Sequence, residues 1–341
     1  MSRFAHVVIR GSVDHSEIVG AEVGNIRERS AADHGASSVS GRKVVIVSRV
    51  GRLANRLLLF GHFIGAAVEH GFTVFDPAFL SMARYFPATA KATVCRYPPA
   101  ASSLAVPGAA PIAFCASVGW SEVLHGIQRL GGDVGLIRLR RDQTLDLNSP
   151  AFLDVVARHN VVFVRDWFFR NGTNCARHRD VICSFFTPFE KHLEGVRSVV
   201  EPVREQGRLL VGVHIRRGDY QSFKSGRFFY SHAQYREIML SAEEIFGERE
   251  VAFLVCSDEP VPRDAFAGLD VVSGPGSAIE DLYALAACDR IIGAPSTFTT
   301  WASYYGAVPR YTIHDPSASF DCSSFVVDRG LGRSAEPDQV T

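Results

Sequence analysis

The chain has 341 residues, of which 47% are hydrophobic and 21% are charged, as is usual for a globular protein and unlike a disordered or fibrous one. Its length is enough for one large core or two ordinary cores and favours two domains. The 36 basic and 36 acidic residues give a formal net charge of zero, which argues against nucleic acid or an anionic membrane surface as the main partner.

The cysteine pattern and the apolar stretches predict a cytoplasmic protein with at most peripheral membrane contact. The seven cysteines are odd in number and include no Cys-x-x-Cys pair, so free thiols in a reducing compartment are expected. The first forty residues are broken by charges and show no secretory signal. Leu57–Val68 is too short to span a bilayer, and prolines interrupt the uncharged stretch Tyr97–Ser121, for which we expect a folded loop region.

The first half of the chain opens with the pattern of a doubly wound sheet. Residues 1–40 are expected to form a poorly ordered leader, after which Lys43–Ser48 is a β-branched run typical of a strand buried on both faces. Leu53–Glu69 has helical spacing, Gly71 follows as a C-cap, and Phe72–Phe75 predicts a second strand. Together these segments indicate a βαβ unit.

Further along, strands and helices alternate. The Pro- and Ala-rich stretch 77–149 has no clear pattern, but Val161–Val164 predicts a strand and Thr187–Gln206 predicts a long amphipathic helix. After this helix, the alternation of strands and helices is typical of a parallel α/β sheet. The predicted strands are Leu209–Ile215, Val251–Cys256, Leu269–Val272, Arg290–Ile292 and Arg310–Ile313. The predicted helices are Ala233–Phe246, Ala278–Ala287 and Phe298–Tyr305.

These elements predict an α/β protein built from two Rossmann-like domains that face each other across a cleft. We place the first domain at residues 41–205 and the second at residues 206–325, with a tail at 326–341.

The sharpest candidate site is the segment from His214 to Tyr220, at the C-terminal end of a predicted strand, where open parallel sheets bind their ligands. Ionisable side chains are costly to bury there unless they meet a charged ligand or each other. The guanidinium groups of Arg216 and Arg217 match phosphate oxygens and would suit a nucleotide diphosphate. An ion pair between Arg216 and Asp219 that only closes the turn explains the same residues, and the sequence leaves both interpretations open.

Ser257 and Asp258 also follow a predicted strand, and they could bind a base edge or a ribose hydroxyl. Taken alone, a turn built from these residues before Pro260 is the better interpretation. The sequence has no Asp-x-Asp triplet of the kind that holds a divalent metal against a sugar diphosphate, so no metal is expected.

A third candidate site combines Asp281 with the start of the helix predicted at residue 298. The preceding strand ends at Gly293, and the hydroxyl residues Ser296 and Thr297 then lead into Phe298. Free backbone N–H groups and hydroxyls at a helix N-terminus bind anions well. Ordinary N-capping by Ser296 is the simpler interpretation, and the two are compatible.

In the first half, the turn after the first strand carries Gly51, Arg52 and Asn55. Gly51 would let the backbone approach a diphosphate, and Arg52 or Asn55 could reach into a cleft, although the dinucleotide fingerprint Gly-x-Gly-x-x-Gly is absent. Asp166 follows a strand and could face a second substrate, while a solvated turn aspartate is the commoner case.

Three segments in order resemble the α-1,2/α-1,6-fucosyltransferase superfamily, and within it bacterial α-1,2-fucosyltransferases of the family 11 type. The matching segments are His214–Tyr220, Phe253–Asp258 and Asp281–Trp301, and Gly51–Asn55 is similar to the family's Gly-rich first loop. The resemblance implies the GT-B fold, with the first domain on the acceptor side and the second binding a GDP-sugar. It also implies GDP-fucose as donor, no cofactor, and inversion at the sugar carbon without a metal.

The resemblance implies a role for each matched residue. Arg216 and Arg217 would bind the diphosphate, with Arg217 favoured for the β-phosphate. His214 and Asp281 would read the guanine, and Asp258 would lie near the base or ribose. The full set of implied donor-binding residues is His214, Arg216, Arg217, Asp258, Asp281, Ser296, Thr297, Phe298, Gly51 and Asn55.

The chain departs from the family where the α-1,6 branch carries its base, because Gln221–Gly226 contains no carboxylate. Arg52 and Leu53 also replace residues usual in the first loop of the α-1,2 branch. We therefore assign catalysis to Arg217 and nominally to Asp219 as base, with a water-relayed proton as the alternative. The expected reaction moves fucose to a hydroxyl of a glycan or lipid-linked saccharide. The alternatives are another GDP-sugar donor, or a catalytically silent protein that binds nucleotide sugars or glycans.

Overall fold

The computed structural model describes residues 39–100, 133–140, 143–247 and 249–332. The expected leader therefore lies almost wholly outside the described residues, as do most of the stretch 97–121 and residues 333–341 of the expected tail. Among the described residues, none of the helices combines the length and the apolarity needed to cross a bilayer.

The first half forms a five-stranded sheet with helices on its faces. Its strands are β1 (Lys43–Ile46), β2 (Thr73–Asp76), β3 (Cys95–Tyr97), β4 (Val134–Arg138) and β6 (Val161–Arg165), while β5 (Leu145–Asp146) and β7 (Phe169–Arg170) form a separate parallel pair. The helices in this part of the chain are α1 (Leu53–His70), α2 (Pro150–Arg158), α3 (Gly172–Arg177), α4 (Arg179–Phe185) and α5 (Glu190–Glu205), of which α5 packs on the second half. The strand order is β3-β2-β1-β6-β4, parallel except for β3.

The second half forms a wholly parallel sheet in the order β10-β9-β8-β11-β12. Its strands are β8 (Leu209–Ile215), β9 (Val251–Ser257), β10 (Val271–Ser273), β11 (Arg290–Gly293) and β12 (Arg310–Thr312). Its helices are α6 (His232–Ile245), α7 (Ala278–Ala286) and α8 (Thr297–Gly306). Every residue of the central strand β8 is buried, as expected for a parallel strand covered on both faces.

Local chemistry explains where the best predicted elements begin and end. Helix α1 ends at Gly71, which has φ 78° and donates its N–H to the carbonyl of Ala67, so the predicted C-cap is confirmed. Helix α5 begins at Glu190 and not at Thr187, because Pro188 disfavours helical backbone in the residue before it. Strand β10 begins at Val271 and not at Leu269, whose N–H is used in a turn to the carbonyl of Phe266.

Helix α8 joins the two halves of the described chain. The Trp301 ring is fully buried and packs edge-to-face on Phe186 of the first half, with ring centroids 5.3 Å apart. The Tyr304 hydroxyl donates to the carbonyl of Cys175, at 2.7 Å. These contacts bury large aromatic surfaces and fix α8, whose first residues face the cleft described below.

The predicted α/β class with two sheets is confirmed. The strands β3, β4 and β5 between residues 77 and 149 were not predicted from the sequence, because they are short and show no detectable hydrophobic period. Helix α2 was missed although Ser149 and Pro150 give the usual start signal of a helix.

Candidate functional site

The strand orders of both sheets point to one place. In an open parallel sheet, ligands bind beyond the carboxyl ends of the two strands at which the order of connections reverses. These strands are β1 and β6 in the first sheet, and β8 and β11 in the second. The loops after all four strands line a common cleft of ≈ 1140 Å³. The cleft is therefore formed by both halves.

Arg216, just after β8, lines this cleft between two carboxylates. Its Nη2 lies 2.7 Å from Oδ1 of Asp219, and its Nη1 lies 3.2 Å from Oδ2 of Asp258. The ion pair that the sequence left open is thus present, and the same guanidinium faces the cleft. The arrangement holds a half-buried cation in a fixed position at the edge of the sheet.

The neighbouring Arg217 does not line the cleft. Its Nη1 donates to the carbonyl of Tyr230 at 2.8 Å, and its guanidinium lies over the ring of Phe229, 4.4 Å from the centroid. Its backbone N–H donates to Oδ1 of Asp258 at 2.9 Å. The turn after β8 therefore directs the two neighbouring guanidinium groups to different places, and only that of Arg216 lines the cleft. This position does not support the preference for Arg217 at the β-phosphate and in catalysis.

His214, the penultimate residue of β8, is a neutral ring at the floor of the cleft. It is 4% exposed and stacks on Phe298, with ring centroids 4.7 Å apart and an interplanar angle of 14°. Burial, and next the charge of Arg216, lower the pKa of His214 to about 3. Its Nδ1 has no hydrogen-bond partner among the described residues. A neutral imidazole with an unpartnered nitrogen suits an uncharged hydrogen-bonding ligand, such as a base edge.

Asp281, at the first turn of α7, lines the cleft from the same side. Its Oδ1 accepts the backbone N–H of Gly276 at 2.8 Å, and burial raises the pKa of its carboxyl group above the usual value. His214, Asp281 and Asp258 therefore lie around one cleft, together with Ser257 at the end of β9.

The first turn of α8 meets the first turn of α1. The Ser296 hydroxyl accepts the N–H groups of Phe298 and Thr299 at 3.1 and 3.3 Å, so the N-capping interpretation applies, and Ser296, Thr297 and Phe298 all line the cleft. The Thr297 hydroxyl also donates to Oδ1 of Asn55. This hydrogen bond links the two halves at the cleft.

Gly51 makes that link sterically possible. It has φ 50°, and a Cβ at this position would lie 1.9 Å from Nδ2 of Asn55. Gly51, Arg52 and Asn55 all line the cleft, as the sequence predicted for this turn.

The sequence singled out Asp166, but the next residues line the cleft in its place. Asp166 has φ 138°, its N–H donates to Oγ of Ser48 at 2.6 Å, and its own Oδ1 accepts the N–H of Trp167 at 2.6 Å. Trp167, Phe168 and Arg170 contribute to the lining. Tyr220, in the segment that the sequence singled out, also lines the cleft, whereas sequence reasoning missed Tyr85, Phe223, Lys224, Arg227 and His314.

Over the part of the chain that the structure describes, no group of three or more His, Cys, Asp or Glu side chains is placed to hold a metal ion.

Two doubly wound sheets with a shared cleft at both reversal points define an α/β protein of the GT-B type. Residues 190–316 match the model of glycosyl transferase family 11. This match agrees with the resemblance found in the sequence and covers the second half of the chain, where that resemblance is tightest. The matched residues include the whole of the second sheet and none of the first.

Three solved structures are distantly similar. NodZ fucosyltransferase from Bradyrhizobium is 16% identical with a TM-score of 0.48, over 80% of this chain and 96% of that one. An arginine-to-lysine mutant of FUT1 from Arabidopsis thaliana in complex with GDP is 13% identical with a TM-score of 0.46, over 86% and 75%. POFUT1 in complex with GDP-fucose is 10% identical with a TM-score of 0.45, over 80% and 95%. No curated protein sequence matches the chain.

Proposed function

We propose that the chain transfers fucose from GDP-fucose to a hydroxyl of a glycan or lipid-linked saccharide, with inversion at the sugar carbon and without a metal. Residues 206–325 bind the donor and residues 41–205 face the acceptor. The observation that carries the proposal is the shared cleft, in which Arg216 and the first turn of α8 belong to the segment that matches glycosyl transferase family 11. Six cysteines are free among the residues that the structure describes, five of them buried, which supports a cytoplasmic location.

The donor's nucleotide is bound by the second half. The unpartnered Nδ1 of His214 and the carboxyl group of Asp281 recognise the guanine, and Asp258 lies near the ribose. The diphosphate occupies the space between Arg216 and the start of α8, where the guanidinium and the helix N–H groups favour negative charge.

Binding of the diphosphate changes the partners of Arg216. One guanidinium now faces two carboxylates, and an incoming phosphate competes with the more exposed of them, Asp219. Asp258 is also held by the N–H of Arg217 and stays in place. Asp219 is released towards the cleft and becomes available as the base.

In the transfer step the acceptor oxygen forms a bond to the sugar carbon while the bond from that carbon to the β-phosphate oxygen breaks. The bonding electron pair leaves with GDP, and the hydroxyl proton passes to Asp219 or through a water. Arg216 and the helix N–H groups stabilise the negative charge that develops on GDP. A bound metal ion has this role in metal-dependent transferases.

The test measures GDP binding by calorimetry and GDP release from GDP-fucose with a panel of glycans. Tight GDP binding with acceptor-dependent release supports the proposal, and GDP-mannose as competitor reveals whether another GDP-sugar is preferred. If GDP binds but neither hydrolysis nor transfer occurs, the silent-binding alternative replaces the enzyme. Absence of GDP binding contradicts both.

A further inference from the structure

Arg170, on the first-sheet side of the cleft, is a buried cation for which the described residues offer no acidic partner. It is 9% exposed and lines the cleft. Its Nη1 donates to the carbonyls of Trp167 and Phe169 at 2.7 and 2.9 Å. Among the described residues, no carboxylate forms an ion pair with it, and its electrostatic interaction is with the Cys175 thiol.

Arg170 differs from Arg216 in lacking a counter-ion among the described residues. Arg216 is balanced by two carboxylates, whereas the described neighbours of Arg170 are carbonyls, aromatic rings, the Cys175 thiol and the neutral His62 ring. Burial lowers the pKa of Arg170 to about 10, so the side chain is still charged near neutral pH. A buried charge without a counter-ion is unfavourable unless a ligand supplies the opposite charge.

Aromatic side chains next to Arg170 also line the cleft. The guanidinium lies over the ring of Trp167 at 4.6 Å and over that of Phe168 at 5.5 Å from the centroids, and both residues line the cleft. The turn before them is held in an unfavourable backbone conformation, φ 138° at Asp166, by hydrogen bonds to Ser48 and to the next N–H. Strain of this kind beside a cleft is typical of a binding site.

We propose that Arg170, Trp167 and Phe168 bind an acidic acceptor saccharide, in which an oxyanion on the sugar meets the guanidinium and the ring packs on the aromatic side chains. The inference rests on the proposed function and names its acceptor class. The donor phosphates are assigned to the second half, so an anion at Arg170 belongs to the acceptor. Carboxylate, sulfate and phosphate share the chemistry that a planar guanidinium recognises.

The test uses protein saturated with GDP and compares three small ligands by calorimetry: the methyl glycosides of galactose, of galacturonic acid and of galactose 6-sulfate. We expect at least one acidic glycoside to bind about tenfold more tightly than the neutral one, roughly 1.4 kcal/mol. Arg170→Gln should abolish this preference, and Arg170→Lys should keep part of it. Arg227→Gln, at another cationic residue that lines the cleft, is the matched control and should keep the preference.

Equal binding of all three glycosides to the unmodified protein overturns the inference, whatever the variants do. A loss of GDP affinity in Arg170→Gln with glycoside preference unchanged also overturns it, because Arg170 would then serve the donor. If GDP does not bind the unmodified protein, it is the proposed function that fails.

Discussion

Arg216 and Arg217 are adjacent in sequence but differ in what they contact. Arg216 faces the cleft between Asp219 and Asp258, whereas Arg217 is tied to the carbonyl of Tyr230 and to a phenylalanine ring. Of the two, only Arg216 lines the cleft.

We therefore expect Arg216→Ala to weaken GDP binding by roughly 10- to 100-fold, because a charge-assisted hydrogen bond contributes about 1.5–3 kcal/mol. Arg217→Ala is the matched control, with an expected change in GDP affinity below about threefold. Calorimetry on both variants checks this. A larger loss of affinity for Arg217→Ala than for Arg216→Ala would contradict the assignment and restore the one drawn from sequence.

The lowered pKa of the buried His214 ring predicts how stability depends on pH. Its folded pKa is about 3 and its usual value is 6.5, so between these values the unfolded state binds more protons than the folded state. The free energy of unfolding contributed by this group is therefore complete above pH 6.5 and is lost as the pH falls. His214→Phe, which keeps the ring stacked on Phe298, should reduce the slope by about 1 kcal/mol per pH unit between pH 4 and 6.

Asp76 should have the opposite effect to His214 on how the free energy of unfolding depends on pH. Burial raises the pKa of its carboxyl group from 3.8 to about 7, so the folded state binds the extra proton and stability falls as the pH rises through this window. Asp76→Asn removes this opposing contribution and should make stability rise more steeply with pH. Urea unfolding of both variants at several pH values is the measurement, and unchanged slopes would show that these groups are not buried as described.

At the scale of elements, the first turns of α1 and α8 are held together at the cleft by Asn55 and Thr297. The contact depends on a turn that has no room for a side chain, because the Cγ of Asn55 would lie 2.6 Å and its Cβ 2.9 Å from a Cβ at Gly51. Rotation of the Asn55 side chain does not move its Cβ, so the backbone of the turn would also have to shift.

Gly51→Ala should accordingly lower the transfer rate by about tenfold or more, since small displacements of aligned groups are costly in catalysis. Gly207→Ala is the control, because Gly207 also has a positive φ, 70°, but has open space around it. It should cost about 1 kcal/mol of unfolding free energy and leave the rate unchanged. Equal rates for the two variants would show that the link between the helices is not needed.

For the molecule as a whole, the sequence predicted the second sheet far better than the first. Strand β8 was predicted to the residue, since a strand buried on both faces is a largely apolar run, which here lies between Arg208 and Arg216. The two-residue strand β7 was missed, and Arg170 with it, because two residues carry no period. The direction of Arg217 depends on the turn after β8 and on the position of Tyr230, which spacing along the chain does not encode.

Removal of metals should leave the activity of the whole protein nearly unchanged. Arg216 and the first turn of α8 are proposed to stabilise the negative charge on GDP in place of a metal. Dialysis against EDTA should therefore leave the transfer rate within about twofold of the untreated protein. The rate of GDP release before and after chelation, with and without added magnesium, is the measurement. A rate that falls with chelation and recovers with magnesium would contradict metal independence.

The most direct test of the central claim is a crystal structure of the complex with GDP. We expect the diphosphate within hydrogen-bond distance of Arg216 and the first turn of α8, the guanine between His214 and Asp281, and Asp219 separated from Arg216. A nucleotide bound outside the cleft, with the contacts of Arg216 to Asp219 and Asp258 unchanged, would contradict the account.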